Sequence, residues 1–239
     1  MAYSETLWRR ETPPDLRETF DWMADRYVTQ TERVSRAHYR EWMDHVTRLV
    51  AGWQPQSVVD VGCGPGYLLQ RLKRAMPAAT LLGVDYAPRM LALVDPAIPT
   101  ENRSIEEWAR GGQGHYDVIL LTFVLRDQPD PVRVLRDLRQ RLKSGGRLVV
   151  LETQTPSGWR KPGFDLYFHE WLPRWGDLAL TKDWPPNHGI PPYRWLSQSH
   201  AAWMRARLLP QAFYENDYVE VERHRPNTDV VMLWSARRP

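Results

Sequence analysis

From residue 16 to 27, and again from 34 to 50, apolar positions repeat at the spacing of one helical face. Tyr39, Trp42, Met43, Val46, Leu49 and Val50 form the second stripe. The pattern then tightens into short β-branched runs. Residues 57–61 (SVVDV), 80–85 and 117–123 read as buried strands, each bounded by glycine, proline or charge. Between them, Gly66 opens a helix through Leu72, Pro88 starts another at a position where the missing N–H is not needed, and a third runs over residues 131–143. A weaker strand falls near residues 100–104, and Gly145-Gly146 marks a stop before a strand at 147–152.

This alternation of strand and helix requires a parallel sheet with helices on both faces. The rhythm changes after residue 152. Residues 153–212 read as helices around the proline-rich loop DWPPNHGIPPY, and runs at 218–222 and 230–234 are close enough in the chain to pair as antiparallel strands. Residues 1–14 are polar, end in Pro13-Pro14 and read as a loose arm. The expected layout is one domain over 1–239, with an N-terminal helical arm or lid (1–50), a core (51–152), a helical cap (153–212) and terminal strands (213–239).

Composition narrows the function classes. The formal charge of the 239 residues is only +3, and the arginines that dominate the basic side chains are dispersed, so no nucleic-acid surface is expected. A single cysteine, Cys63, and a start without an apolar leader suit a soluble, cytoplasmic protein. Six of the 12 tryptophans, Trp159, Trp171, Trp175, Trp184, Trp195 and Trp203, lie in the C-terminal stretch. Their default reading is the core of the cap, one face of which would line an apolar pocket. The same aromatics leave room for a peripheral membrane contact, and the chain for a homodimer.

The chemistry concentrates in VVDVGCGPGYL, residues 58–68. A strand delivers Asp60-Val61-Gly62-Cys63-Gly64-Pro65-Gly66, a helix leaves it, and Asp85 ends the next strand. Alternate glycines let the backbone turn tightly and approach a ligand without Cβ atoms. Dinucleotide sites use G-x-G-x-x-G, a spacing absent here. The G-x-G-x-G spacing after D-V resembles class I S-adenosylmethionine (SAM)-dependent methyltransferases. That resemblance implies a Rossmann-like seven-stranded α/β sheet, mostly parallel with the last strand antiparallel, and a helical cap. It also implies SAM as cofactor, with Asp60, Gly62, Cys63, Gly64 and Gly66 at its amino-acid end and Asp85 on the ribose hydroxyls. Tyr86 and Thr122 join this set, and Ser104 and Ile105 stand at the adenine, where the family usually has an aspartate. Asp85 has a competing reading as the N-cap of the next helix, and Cys63 reads as a small turn filler.

FDWMADRY (20–27), FVLRDQPDP (123–131), LRDLRQRLKSGGRLVVLE (135–152), FDLYFHEWLPRWGDLAL (164–180) and YRWLSQSH (193–200) further resemble the ubiquinone/menaquinone C-methyltransferase (UbiE-type) family. The resemblance implies C-methylation of a quinol, phenol or related apolar small molecule. It places Arg126 at the reaction centre, where a guanidinium would favour a phenolate and so activate a ring carbon; its own basicity makes it a poor base. Tyr27 would lie over the cofactor, and His169 is a candidate base. Asp127 replaces the family's usual Asn and reads first as a cap of the turn before Pro129, second as a partner of Arg126. RPNTDV (225–230) lacks the family's glycine pair, which points to an altered substrate. The PPY at 191–193 sits far from the fourth strand, where adenine-N6 methyltransferases carry their tetrad. O- or N-methylation, and SAM binding without methyl transfer, are the alternatives.

Overall fold

The computed structural model describes residues 16–111, 114–185 and 188–239. The arm expected at residues 1–14 lies outside them. Seven strands, β1 (Ser57–Val61), β2 (Thr80–Asp85), β3 (Thr100–Asn102), β4 (Tyr116–Thr122), β5 (Leu142–Thr153), β6 (Val219–His224) and β7 (Val231–Arg237), form one sheet in the order β3-β2-β1-β4-β5-β7-β6. The first five run parallel, and β7 pairs antiparallel with both β5 and β6. The strand order reverses between β1 and β4, and at such a reversal the loops leave the carboxyl ends in opposite directions and open a crevice.

Alternating side chains bury the two faces separately. Val59, Val61, Ile119, Leu121, Leu148 and Val150 face one core, whereas Val58, Leu120, Val149 and Leu151 face the other. Eight helices precede the last part of the cap: α1 (Leu16–Met23), α2 (Tyr27–Val34), α3 (His38–Gly52), α4 (Tyr67–Ala75), α5 (Pro88–Leu91), α6 (Ile105–Gly111), α7 (Pro131–Arg139) and α8 (Lys161–Asp165). The first face packs on α6 and α7 through Trp108, Leu135 and Leu138; the second packs on α3 and α4 through Met43, Val46, Leu69 and Leu72.

Helix α8 runs into a π-helical turn (Leu166–Trp171), α9 (Leu172–Trp175) and a second π-helical turn (Gly176–Leu180), followed by α10 (Pro192–Ala206) and α11 (Gln211–Glu215). Phe168, Leu172, Leu180 and Tyr193 make a small core of their own there. The N-terminal helices close onto these elements. Gln30 Nε2 donates to Leu180 O (3.0 Å) and its Oε1 accepts from Tyr193 Oη (3.0 Å), both out of water, while Tyr167 Oη donates to Val34 O (3.0 Å).

Boundaries differ from expectation in three places. The first stripe is broken by a 3-10 turn at Ala24–Arg26, and the helix of the second stripe, α3, starts at His38, after Arg36 and Ala37 at positive φ. Helix α7 stops at Arg139, and Gly145-Gly146 lie inside β5, not before it. The sheet overrides the stop signal through a register shift, with Tyr116 opposite Leu142 but Val118 opposite Arg147. Gly146 is needed for the resulting close approach: a Cβ there would lie 2.9 Å from Tyr116 O and 3.0 Å from Lys143 O, both backbone atoms. Gly146→Ala is therefore expected to destabilise the fold by about 1–3 kcal/mol, measured by urea unfolding against Gly52→Ala as the control, since a Cβ on Gly52 meets nothing within 4 Å and needs no positive φ.

Candidate functional site

The glycine loop is suspended from β2. The N–H groups of Gly62 and Cys63 both donate to Val84 O (2.7 and 3.0 Å). Gly62 takes φ +79°, and a Cβ on it would come within 2.7 Å of Val124 Cγ2, so neither conformation nor space admits a side chain. Gly64 N–H donates to Asp85 Oδ2 (2.8 Å), and Gly66 forms the N-cap of α4. The Cys63 thiol is buried under the turn, and burial pushes its pKa up, as befits a filler.

Asp85 accepts from Gly64 N–H on one oxygen and from Ala87 N–H (2.9 Å) on the other. Ala87 is itself the N-cap of α5 and has no side-chain cap, so Asp85 braces the turn and does not cap that helix. The backbone N–H of Tyr86 also donates to it, so three of the four acceptor sites of the carboxylate are taken and one remains. A cavity of about 200 Å³ opens beside it, lined by Gly62, Gly64, Asp85, Tyr86, Ser104, Ile105 and Thr122, all singled out from the sequence. Ser104 and Glu107 form a reciprocal capping box at the start of α6, Ser104 N–H to Glu107 Oε2 (3.0 Å) and Glu107 N–H to Ser104 Oγ (3.2 Å), which fixes this wall. Asp60 lies behind the loop, fully buried, with no hydrogen bond to either carboxylate oxygen among the described residues. Burial, aided by the charge of Asp85, pushes its pKa up to about 7.

At the exit of β4, Phe123 takes φ +60° and a 3-10 turn follows at Leu125–Asp127. Arg126 is only 7% exposed. Its Nη1 donates to Glu152 Oε2 and to Phe123 O, each at 2.9 Å, and its backbone N–H donates to Glu152 Oε1 (3.2 Å). Burial alone would lower the Arg126 pKa, but Asp127 and Glu152 together hold it above the ordinary arginine value. Of the two readings of Asp127, the structure favours the partner of Arg126 over the turn cap: it is buried, lies 3.5 Å from Arg126 Nη2, and accepts from Trp195 Nε1 of α10 (2.9 Å). Glu152 was not singled out from the sequence. The available signal was a carboxylate ending an apolar run, LVVLE, at a carboxyl edge.

A second cavity, about 510 Å³, spreads from this turn under the lid and cap, lined by Met23, Val34, Trp42, Phe164, Tyr193 and Leu196 and, at its inner end, by Arg126. Four residues line both cavities: Phe20, Tyr27, Phe123 and Asp127. They mark the junction between the two. Burial pushes the Tyr27 hydroxyl up to about 12, so at neutral pH it stands there protonated. His169 lines neither cavity; its Nδ1 is 2.9 Å from Ser197 Oγ and its ring packs 5.2 Å from that of His200, inside the cap. The structure thus gives His169 a place in packing and brings it to no reacting group. Two ligands can meet here, one over the glycine loop and one in an aromatic chamber, with transfer between them at Tyr27, Phe123, Arg126 and Asp127.

The sequence profile of the Methyltransferase domain family matches residues 34–218. Curated relatives include the demethylmenaquinone methyltransferase of Lactococcus lactis, 25% identical over 231 residues (93% of this chain, 88% of that protein), and that of Thermotoga maritima, 29% identical over 169 residues (66% and 71%). Among solved structures, the plantazolicin methyltransferase BpumL in complex with a desmethylPZN analog and SAH superposes with a TM-score of 0.61 at 13% identity, covering 94% of each chain. A putative O-methyltransferase from Nostoc punctiforme gives 0.61 at 17% identity, covering 92% of this chain and 60% of that one. These two establish a shared fold.

Asp60 yields a direct test of the buried charge. Its raised pKa means that the folded state binds a proton more tightly than the unfolded chain, so folding loses stability as pH rises from about 4 to about 7 and then levels off. Asp60→Asn should stabilise the ligand-free protein by on the order of 3 kcal/mol above pH 7, the gain shrinking toward pH 4. Thermal melts of both proteins across that range give the comparison.

Proposed function

We propose, on the premise that the chain belongs to the Methyltransferase domain family, that it methylates a carbon of a quinol, phenol or related apolar small molecule. The methyl donor is S-adenosylmethionine, and the residues present suit it. Gly62, Gly64 and Gly66 keep the turn free of Cβ atoms, Asp85 keeps acceptor capacity toward a ribose hydroxyl, and Asp60 lies buried behind the loop, where a bound cationic amino group would favour its ionised form. When bound, SAM supplies an electrophilic methyl group on a sulfonium.

What the chain's own residues contribute follows from their placement. Phe20, Tyr27 and Phe123 close the junction and exclude water, which favours in-line transfer by holding donor and acceptor together. The aromatic chamber binds an apolar body. Arg126 at its inner end carries the proposal: a guanidinium facing an apolar cavity stabilises a phenolate oxygen, and the negative charge reaches the neighbouring ring carbon. The demethylmenaquinone methyltransferases among the relatives support an apolar aromatic acceptor of this kind. The exposed Trp159, Leu166, Trp171 and Leu178 on the outside of the cap offer a place for peripheral contact with a membrane, and no described helix is long and apolar enough to cross one.

Asp127 favours a second reading, O- or N-methylation. It lines both cavities, and a carboxylate at the junction suits removal of a proton from a hydroxyl or an amine. Labelled SAM with a panel of demethylquinols, phenols and aryl amines, read by mass spectrometry, separates the readings: label on carbon supports the first, label on oxygen or nitrogen the second, and SAM binding without product neither. With a carbon acceptor, Arg126→Lys is expected to lower kcat about 100-fold, the usual loss when one donor to a developing oxyanion is misplaced. Turnover within threefold of wild type would remove Arg126 from the mechanism.

A further inference from the structure

Arg126 poses an electrostatic difficulty. A bare guanidinium at the inner end of the chamber, beside the junction, would favour a phenolate but would repel the positively charged sulfonium that must approach that junction. Demethylated product, SAH, carries no charge on sulfur. Any cation at the junction therefore disfavours SAM relative to SAH.

Glu152 stands where it removes the difficulty. It ends β5, is 0% exposed and lines neither cavity, so it touches neither ligand. Its contacts are with N–H donors: Arg126 N and Nη1, and Thr153 N (3.1 Å). Burial and the neighbouring Asp127 push the Glu152 pKa up and Arg126 pulls it down; a protonated carboxyl would need an acceptor for its own O–H, and among these contacts there is none, so the contacts favour the ionised form. A buried ion pair adds little stability compared with apolar side chains of the same volume, which leaves its value to the site.

We infer that Glu152 is a positioning residue for methyl transfer: it holds the Arg126 side chain and cancels its charge, so that the guanidinium can serve the acceptor without repelling the sulfonium. The inference rests on the cofactor alone and holds whether carbon, oxygen or nitrogen is methylated. Asp127, 3.5 Å from the other terminal nitrogen, shares the task, but Glu152 makes the shorter contact and grips backbone and side chain of Arg126 together.

Calorimetric titration with SAM and with SAH tests this. Glu152→Gln keeps the shape and removes the charge. It should weaken SAM about tenfold and SAH by less than twofold, the order expected for one added unit charge about 12 Å away at an effective dielectric of about 20. In the double variant Arg126→Met/Glu152→Met, which removes both charges, the SAM-to-SAH affinity ratio should return to within about twofold of wild type. Equal weakening of both ligands in Glu152→Gln would mean that Glu152 only supports the fold, and an unchanged ratio would mean that no charge was cancelled; either result overturns the inference. Should Glu152→Gln not fold, Glu152→Met is read in the same way. The double variant then carries the remaining arm: a preserved ratio supports the inference and a fallen ratio overturns it.

Discussion

A guanidinium can be buried at the edge of an apolar sheet only with anions beside it, because removing a lone charge from water costs many kcal/mol. Glu152 meets this demand from the adjacent strand, and the register makes it possible: Thr122 pairs with Leu151, so the residues that leave β4 arrive beside the end of β5. The positive φ of Phe123 then turns the chain so that Phe123 O also accepts from Arg126. Two strand ends and one strained residue thereby fix a single side chain beside the junction of the two cavities.

The same constraint reaches the cap. Asp127 follows Arg126 in the turn and accepts from Trp195, which belongs to α10. Tyr193, two residues earlier in that helix, is bonded to Gln30 of α2, and Gln30 also holds the carbonyl of Leu180. Sheet edge, cap and lid thus share one chain of buried hydrogen bonds, and Tyr27 sits on the lid segment that this chain anchors. Displacement of the lid or of α10 would be felt at Arg126 through real contacts, which is the kind of coupling a packed polar network transmits.

The cofactor half of this arrangement was legible in the sequence because it depends on backbone. Glycines 62, 64 and 66 are demanded by positive φ, and a strand before and a helix after them are recognisable from local pattern. Strand rhythm gave the parallel sheet and the terminal antiparallel pair for the same reason. Elements that depend on distant partners were less legible. Gly145-Gly146 have the composition of a helix stop, yet backbone hydrogen bonds with Arg238, just past β7, and the pairing of their flanks with β4 draw them into a strand. Asp127 has the spacing of a turn cap, and only tertiary packing brings Trp195, 68 residues away, to its carboxylate. His169 looked chemical because histidine titrates near neutrality, but its position along the cap helix directs it to Ser197 and His200.

This division bears on specificity. The loop over β1 and β2 tolerates little change, since a Cβ at Gly62 would strike Val124 and any other residue at Gly64 would be strained while presenting its amide to Asp85. The chamber is less restricted: it is assembled mainly from side chains of α1, α2, α3, the cap helices and the segment before β7, and of its lining residues only Arg36 and Phe123 hold backbone at positive φ. Thr228 illustrates the freedom, for it lines the chamber while bonding Trp42 Nε1 (2.8 Å), in the stretch where a glycine pair is absent. Replacing such a residue changes the volume and polarity offered to the acceptor and leaves the ion pair of Arg126 and Glu152 in place. A fold with this construction can keep its donor and its charge arrangement while its acceptor changes, and the acceptor must then be read from the chamber, not from the glycine loop.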